Sequence, residues 1–340
     1  MPFSTSLPAE RKRVNKDLLN LLACPDCGSE ELVLEPSAEG SLSCACCNAA
    51  YPIHNGIPQM LPTHLAAALK LKSAYAEKIR ASILERNQPQ PENPEIDRLM
   101  WEQELYSWGK EVIYRNSKAA EIFFSYSEKG AKRLCLFIRT KANGVRGKSL
   151  LYVGSGNDRL VTLPLEEAGA FVVNLDIAIE PLEDLKQAGA RSCVRGDARQ
   201  LPFRPDAFDV VFSKGSIHHS HPIAQPLRAM ARVVKREGHI IVAEPSKHML
   251  SGLPRLLLPS GLGYPAPYEA PISATEVVQI LGEEGISQIE RATLTHAPPG
   301  VPSPIARLWE RLGKAMPWLF DRFAIEFIVH GQKIQKRRIN

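Results

Sequence analysis

Four cysteines, arranged as two pairs, are the residues whose types and spacing most directly predict chemistry. Cys24 and Cys27 form one C-x2-C pair, Cys44 and Cys47 form the other, and sixteen residues separate the pairs. This is the spacing with which four thiolates surround one Zn2+ ion in a structural zinc ribbon. Free or redox-active thiols are the alternative. Because four thiolates leave no coordination position for a catalytic water, we expect a structural zinc.

The residues around the cysteine pairs indicate a narrower class of zinc ribbon. The first pair lies in LLACPDCG, and the second is followed by YPIHNGIPQML at residues 51–61. Together, residues 18–62 resemble the small zinc-ribbon proteins of the Trm112 family. That resemblance implies a module that docks onto a methyltransferase, either within this chain or in a partner protein. It predicts a methyltransferase domain in the remaining sequence.

A second group of residues has the spacing of a nucleotide-binding site. The segment SLLYVGSGNDRL (149–160) predicts a buried strand and a turn in which Gly154 and Gly156 let the backbone approach a ligand. The apolar segment FVVNLD ends at Asp176, whose carboxylate can accept hydrogen bonds from ribose hydroxyls. A third predicted strand, SCVRGD, ends at Asp197. These segments predict an α/β fold with a ligand at the strand ends.

Five sequence segments around this site occur in an order that is typical of a known family. VGSG, the LD at 175–176, GDARQLPF, FDVVFSKGSIHH and LRAMARVVKREGHIIVAEP follow one another between residues 145 and 245. This stretch resembles the class I S-adenosylmethionine-dependent methyltransferases, particularly the group that includes the ubiquinone and menaquinone methylases. The resemblance implies a Rossmann-like, seven-stranded, mostly parallel sheet whose last strand is antiparallel. It also implies that the cofactor is bound by Gly154, Ser155, Gly156, Asp176, Ile177, Asp197, Ala198 and Ser213.

The glycine loop departs from the family pattern in two places. The family usually has an acidic residue two positions before the first glycine, where this chain has Tyr152, and often a third glycine, where this chain has Asp158. Pro164 follows closely, so we expect the next helix to begin late. Weakened cofactor binding, or a protein that has lost activity, is the alternative that these departures leave open.

Paired histidines follow the predicted fourth strand. His218 and His219 stand near the expected place of the acceptor, where an imidazole can take a proton from a hydroxyl or phenol. Such paired histidines also occur in the family without a catalytic duty. FSKGS lacks the asparagine/aspartate-proline-proline-aromatic signature of many amino-group methylases of nucleic acids. We therefore expect methyl transfer to oxygen or carbon of a small-molecule or lipid-like acceptor.

Composition limits the other function classes. The chain has 340 residues, 44% hydrophobic content and a net charge of +5. The basic runs ERKR and KIQKRR are typical of solvated tails, so nucleic-acid contact is not favoured. Neither a secretory signal nor a transmembrane helix is expected, and seven cysteines with four on metal favour the cytoplasm. An RNA methyltransferase and a non-catalytic scaffold that docks partners through the ribbon are the remaining alternatives.

The chain is expected to divide into several parts. A helix is predicted to start at Thr63, with that residue as its cap. A later predicted helix places Trp309 and Leu312 among Arg307 and Arg311, a pattern that permits peripheral membrane contact. The expected parts are a flexible N-terminus (1–17), the ribbon (18–62), a helix and proline-rich linker (63–95), a helical lid segment (96–140), the methyltransferase domain (141–332) with insertions at 246–272 and 294–322, and a basic tail (333–340).

Overall fold

The computed structural model describes residues 13–35, 40–70, 117–246, 272–295, 303–316 and 326–334. Within these ranges the chain forms a small four-stranded sheet and a seven-stranded sheet flanked by helices. Several predictions lie outside the described residues. They concern the N-terminus up to residue 12, residues 71–116, residues 247–271, residues 296–302 and 317–322 of the second predicted insertion, and the tail from residue 335.

The smaller sheet belongs to the cysteine-rich segment. Its strands are Leu32–Glu35 (β1), Ser41–Cys44 (β2), Ala50–His54 (β3) and Ile57–Pro58 (β4). They pair antiparallel in the order β1-β2-β3-β4. In β3 the side chains alternate between exposed and buried, as expected for a sheet with one face against a core.

The larger sheet confirms the predicted fold class. Its strands are Ser149–Val153 (β5), Phe171–Asp176 (β6), Ser192–Arg195 (β7), Phe208–Lys214 (β8), Val234–Pro245 (β9), Ile286–Thr295 (β10) and Glu326–Lys333 (β11). Their order is β10-β11-β9-β8-β5-β6-β7. Strands β5 to β9 are mutually parallel, and β11 runs antiparallel to β9 and β10.

Helices cover both faces of this sheet, which explains why its central strands are almost continuously apolar. On one face, Leu134 and Ile138 pack in one cluster with Tyr152 of β5. On the other face, Met230 and Leu281 pack in the cluster that also holds the ribbon's apolar residues. The described helices are Lys16–Leu19 (α1), Thr63–Lys70 (α2), Ser117–Lys141 (α3), Arg159–Glu167 (α4), Ile179–Ala188 (α5), Ala224–Val233 (α6), Ala274–Glu283 (α7) and Ser303–Ala315 (α8).

The ribbon continues the larger sheet at its β7 edge. Gln59, just after β4, forms a parallel bridge with Arg195 of β7. The Met60 amide donates to the Arg195 carbonyl across 2.8 Å. An exposed edge strand invites pairing with another chain, and here the chain's own ribbon occupies that position. The ribbon therefore docks within this chain.

Contacts on either side of this bridge extend the docking surface. Leu22 forms an antiparallel bridge with Phe203, and the Ala23 amide donates to the Pro202 carbonyl across 3.0 Å. The ammonium of Lys186, which is 2% exposed, donates to the Gly56 carbonyl across 3.1 Å. A buried ammonium needs such a partner, because leaving it unpaired costs several kcal/mol. Polar and apolar contacts together fix the ribbon on the sheet.

The starts of two helices are well defined by the structure. Helix α7 follows Ser273, whose hydroxyl caps it by accepting from the Glu276 amide across 3.2 Å. The expected late start of α4 is wrong, since this helix begins at Arg159 and contains Pro164. Proline cannot donate to the Leu160 carbonyl, but that oxygen lies 3.9 Å from the Cys135 thiol of α3.

Helix α8 combines apolar and basic side chains at the surface. Ile305 and Leu308 are 53% and 57% exposed, and Arg307 and Arg311 are also exposed. Arg133 of α3 is 3.1 Å from Glu310, which ties this helix to the rest of the fold. In the part of the chain that the structure describes, no helix has the length and apolar character needed to cross a bilayer.

Candidate active site and metal centre

The four predicted metal ligands meet in one cluster. The sulfur atoms of Cys24, Cys27, Cys44 and Cys47 all lie within 4.8 Å of one another. The Cys24–Cys47 and Cys27–Cys44 sulfur distances are both 3.6 Å. Tetrahedral Zn2+ with bonds of about 2.3 Å would place its sulfur ligands about 3.8 Å apart. The donor set and its spacing therefore fit a structural zinc ion.

Tight turns bring each pair of cysteines together. The Gly28 amide donates to the Cys24 carbonyl across 2.8 Å, and the Asn48 amide donates to the Cys44 carbonyl across 2.9 Å. Both closing residues have a positive φ, 77° for Gly28 and 60° for Asn48. Glycine and asparagine are the residues that adopt this conformation most readily. The sequence thus encodes each turn as well as its ligands.

A tyrosine and an aspartate connect the cysteine cluster to α2. The Tyr51 hydroxyl donates to Asp26 Oδ2 across 2.5 Å and lies 3.0 Å from the Cys24 sulfur. Burial and the bond to Asp26 raise the pKa of Tyr51 far above its usual value, so the hydroxyl stays a donor. Asp26 also accepts from the Thr63 amide (3.0 Å) and hydroxyl (2.9 Å). The predicted cap role of Thr63 is therefore wrong: Asp26 caps α2.

The predicted cofactor residues lie along one edge of the larger sheet. Strands β8, β5, β6 and β7 are neighbours and parallel, so their carboxyl ends meet at the same edge. In open α/β sheets this edge is where ligands bind. The predicted residues at or just beyond these strand ends are Ser213, one residue before the end of β8, Gly154, Ser155 and Gly156 after β5, Asp176 and Ile177 at β6, and Asp197 and Ala198 after β7.

The glycine loop has a conformation that requires glycine. Gly154 has a φ of 66°, and a Cβ at this residue would lie 2.3 Å from Ser216. The Ser216 hydroxyl donates to the Val153 carbonyl across 3.0 Å and thereby occupies the space beside Gly154. Gly156 has a φ of 50°, and a Cβ there would meet nothing within 4 Å. The backbone at Gly156 can therefore be approached closely by a ligand.

Asp176 is fixed across the glycine loop. Its Oδ2 accepts from the Gly156 amide across 2.8 Å, and its Oδ1 accepts from the Ala178 amide across 3.0 Å. The neighbouring Ile177 carbonyl accepts from Arg195 Nε across 3.0 Å, and Arg195 Nη1 lies 3.3 Å from the Gln59 side chain. Arg195 thus joins the ribbon to the residue next to Asp176. Carboxylate, loop and ribbon form one hydrogen-bonded unit.

Asp197 has a partner that sequence reasoning missed. Its carboxylate is 1% exposed and accepts from Arg199 Nη2 across 2.6 Å and from Arg199 Nε across 3.0 Å. The pair lies in the turn Ala198–Gln200, beside a cavity of about 760 Å³ that Leu65 of α2 also lines. The adenine contact assigned to Asp197 and Ala198 stays a prediction. Only the two-residue spacing in GDARQ could have signalled this ion pair.

The structure distinguishes between the two candidate histidines. His218 is 5% exposed, and its Nδ1 lies 2.6 Å from Oε2 of Glu244, a fully buried residue at the end of β9. The other carboxylate oxygen accepts from the Ser216 and Ile217 amides across 3.0 and 2.9 Å. Because a carboxylate accepts at Nδ1, the Nε2 of neutral His218 is left as a proton acceptor. His219 lies beside it, with 4.1 Å between ring centroids.

Ser213 completes the described site. Its side chain is fully buried, and its hydroxyl has no hydrogen-bond partner among the described residues. Buried polar groups are normally paired, so this hydroxyl is an exception among the described residues.

Tyr152 and Asp158 are the two departures from the family pattern, and the Tyr152 hydroxyl lies 3.0 Å from the Asp158 carboxylate. Burial and the Asp158 charge raise the pKa of Tyr152 well above its usual value, so the phenol remains a donor.

Comparison with known proteins matches both parts of the chain. The family model described as a methyltransferase domain matches residues 151–242, and the model of Trm112p-like proteins matches residues 15–56. The curated demethylmenaquinone methyltransferase of Corynebacterium glutamicum is 34% identical over 98 residues, covering 29% of this chain and 42% of that protein. A ubiquinone biosynthesis O-methyltransferase of Aliivibrio fischeri is 29% identical over 123 residues, covering 34% and 52%.

One solved structure combines the same two kinds of module. The complex of the Haloferax volcanii Trm112 methyltransferase activator with a methyltransferase matches with a TM-score of 0.45 and 16% identity, covering 64% of this chain and 98% of that chain. A likeness this weak carries no argument about function. The chain spans about half the length or less of the curated relatives named above. The family matches confirm the resemblance: residues 151–242 form a methyltransferase domain, and residues 15–56 form a Trm112-like ribbon.

Proposed function

We propose that this protein transfers a methyl group from S-adenosylmethionine to an oxygen or carbon atom of a small-molecule or lipid-like acceptor. The observation that carries the proposal is the His218–Glu244 pair at the edge of the sheet where the predicted cofactor residues also lie. Relatives named for menaquinone and ubiquinone biosynthesis support this acceptor class.

The cofactor is assigned to the carboxyl edge of strands β5 to β8. When bound, S-adenosylmethionine supplies an electrophilic methyl group on a positively charged sulfur. Gly154, Ser155 and Gly156 provide a loop that a ligand can approach, and Asp176 provides a carboxylate for the ribose hydroxyls. The turn that starts at Ala198 provides the adenine contact, with Asp197 fixed by its ion pair. Ser213 places a buried hydroxyl near the end of β8, beside the proposed reaction centre.

His218 is assigned the role of general base. Glu244 holds Nδ1, which orients Nε2 and stabilises the imidazolium formed when His218 takes a proton. Nε2 would take the hydroxyl proton of the acceptor. The bound cofactor would supply the methyl group to the acceptor oxygen, and its sulfur would keep the electron pair of the methyl–sulfur bond. For methyl transfer to a ring carbon of a phenol, His218 would take the phenol proton in the same way.

The zinc ribbon is assigned a structural role. Its four thiolates, Asp26 and Tyr51 form a rigid core that holds Gln59 and Met60 against β7. Arg195 then connects this edge to the loop that carries Asp176. The partner of the docked ribbon is thus the methyltransferase domain of the same chain.

Helix α8 offers a route to a lipid-like acceptor. Exposed Ile305 and Leu308 stand beside Arg307 and Arg311, which suits the boundary between apolar lipid tails and anionic headgroups. Peripheral membrane contact through this helix would bring the protein to the surface where a lipid-like acceptor is found. Among the described residues, no contact joins α8 to His218.

Transfer of a labelled methyl group tests the proposed reaction. Purified protein is incubated with tritium-labelled S-adenosylmethionine and either prenylated hydroquinones and catechols in detergent micelles or total cellular RNA. We expect the label in the organic extract, and we expect none with Asp176→Ala as the matched control. Label in RNA alone, with binding that weakens steeply as salt rises, would contradict the acceptor class and favour an RNA methyltransferase.

A further inference from the structure

Three polar side chains meet beside the glycine loop on the α3 side of the larger sheet. The Tyr152 hydroxyl donates to Asp158 Oδ2 across 3.0 Å, and the Lys214 ammonium lies 3.4 Å from the same oxygen. Tyr152 is 1% exposed, whereas the Lys214 and Asp158 side chains are 15% and 19% exposed. A buried tyrosine therefore holds an ion pair that is still accessible to a ligand.

This cluster has hydrogen-bonding capacity left over. Its described contacts use one oxygen of Asp158, whose side chain makes no capping hydrogen bond to α4. The ammonium of Lys214 carries three N–H donors, and its described contact uses one. One carboxylate oxygen and two ammonium donors remain within the described part of the chain. A ligand group with both an ammonium and a carboxylate complements that arrangement.

The position of the cluster follows from two sequence departures that act together. Position 152 holds tyrosine where the methyltransferase pattern has an acid, and position 158 holds aspartate where the pattern often has glycine. In the fold, the Asp158 carboxylate reaches back to the Tyr152 side chain. The acidic residue therefore follows the glycine loop in the sequence, but its carboxylate lies beside position 152, which precedes the loop. Lys214 enters from β8, immediately after Ser213.

We propose that Asp158 and Lys214 bind the amino-acid end of S-adenosylmethionine. Asp158 accepts from its α-ammonium group through the unused oxygen, and Lys214 donates to its α-carboxylate. Tyr152 positions Asp158 by holding the other oxygen. The inference rests on the proposed function, since it assigns part of the same cofactor site. Under this proposal, the two departures from the family pattern, Tyr152 and Asp158, both contribute to binding of the cofactor's amino-acid end.

Two ligands that differ only at the amino-acid end separate this role from a general effect on the loop. S-adenosylhomocysteine carries the ammonium and carboxylate, and 5′-methylthioadenosine has neither. We expect Asp158→Asn and Lys214→Met to weaken S-adenosylhomocysteine about tenfold or more, because the first removes the carboxylate charge that faces the ammonium and the second removes the donor to the carboxylate. Their affinity for 5′-methylthioadenosine should change little. Binding is measured by calorimetric titration of the full chain.

Matched variants complete the test. Asp209 and Lys235 form a 3.0 Å ion pair at the opposite end of β8 and β9, so Lys235→Met should alter neither affinity. Lys214→Arg keeps the charge and should keep the preference for S-adenosylhomocysteine even if Lys214→Met unfolds. Equal weakening of both ligands, or no weakening, overturns the inference while leaving the proposed function intact. Failure of the folded wild-type protein to bind either ligand overturns both.

Discussion

Replacement of His218 by alanine is expected to slow methyl transfer to a hydroxyl acceptor by about 100- to 10,000-fold, the usual contribution of a general base. Affinity for S-adenosylhomocysteine should stay near its wild-type value, because the described contacts of His218 are with Glu244 and the neighbouring His219. The turnover rate is measured with the acceptor that the labelled panel identifies. The two readouts together separate the chemical step from cofactor binding.

Glu244→Gln tests whether the buried carboxylate orients that base. Glutamine has the same size, but its amide can donate to Nδ1 and so stabilise the tautomer with the proton on Nε2. In that tautomer Nε2 already carries a proton and cannot take one from the hydroxyl of the substrate. We therefore expect the rate of methyl transfer to fall about 100-fold or more. His219→Ala is the matched control and should have a much smaller effect. If His219→Ala is as slow as His218→Ala, or if neither is slow, the assigned base is wrong.

Replacement of Cys44 by serine is expected to remove zinc and unfold the ribbon. Structural zinc sites bind with an apparent free energy of about 10–16 kcal/mol in zinc-finger peptides, and that binding energy is folding energy. Loss of several kcal/mol corresponds to a fall of roughly 10 °C or more in melting temperature for a domain of moderate size. Zinc content and thermal unfolding of the full chain measure both effects.

Cys46 provides the matched control for this variant. It lies between Cys44 and Cys47 but is exposed and stands outside the four-sulfur cluster. Cys46→Ser should therefore keep one zinc per chain and the wild-type melting temperature. Chelation of the wild-type protein should reproduce the Cys44→Ser result. Chelation that removes activity and leaves the unfolding midpoint unchanged would show that the metal has a catalytic role.

The sequence is informative about the ribbon because its signals are local. The two cysteine pairs and the residues that close their turns, Gly28 and Asn48, stand within a few positions of one another. The docking of the ribbon is different, because it depends on pairs such as Gln59 and Arg195, which are 136 residues apart. Composition and periodicity carry no information about which surface such a residue meets. The choice between docking in this chain and docking to a partner therefore required the structure.

The candidate site shows the same division. Gly154 and Asp176 were predictable, since a glycine turn and a carboxylate at the next strand end have a recognisable spacing. Glu244 was not, because a glutamate at the end of an apolar strand carries no sign that it faces a histidine 26 residues earlier. The contact between Asp158 and Tyr152 was not predictable either, because only the folded loop brings the two side chains together.

Calorimetric titration of the zinc-loaded protein with S-adenosylhomocysteine tests the central claim most directly. The account predicts micromolar binding that Asp176→Ala abolishes, because Asp176 both fixes the Gly156 amide and is assigned the ribose. Glu167→Ala, an exposed carboxylate at the end of α4, should leave the affinity unchanged. Well-folded, zinc-loaded protein that binds no S-adenosylhomocysteine would contradict the account and favour a scaffold that docks partners through its ribbon.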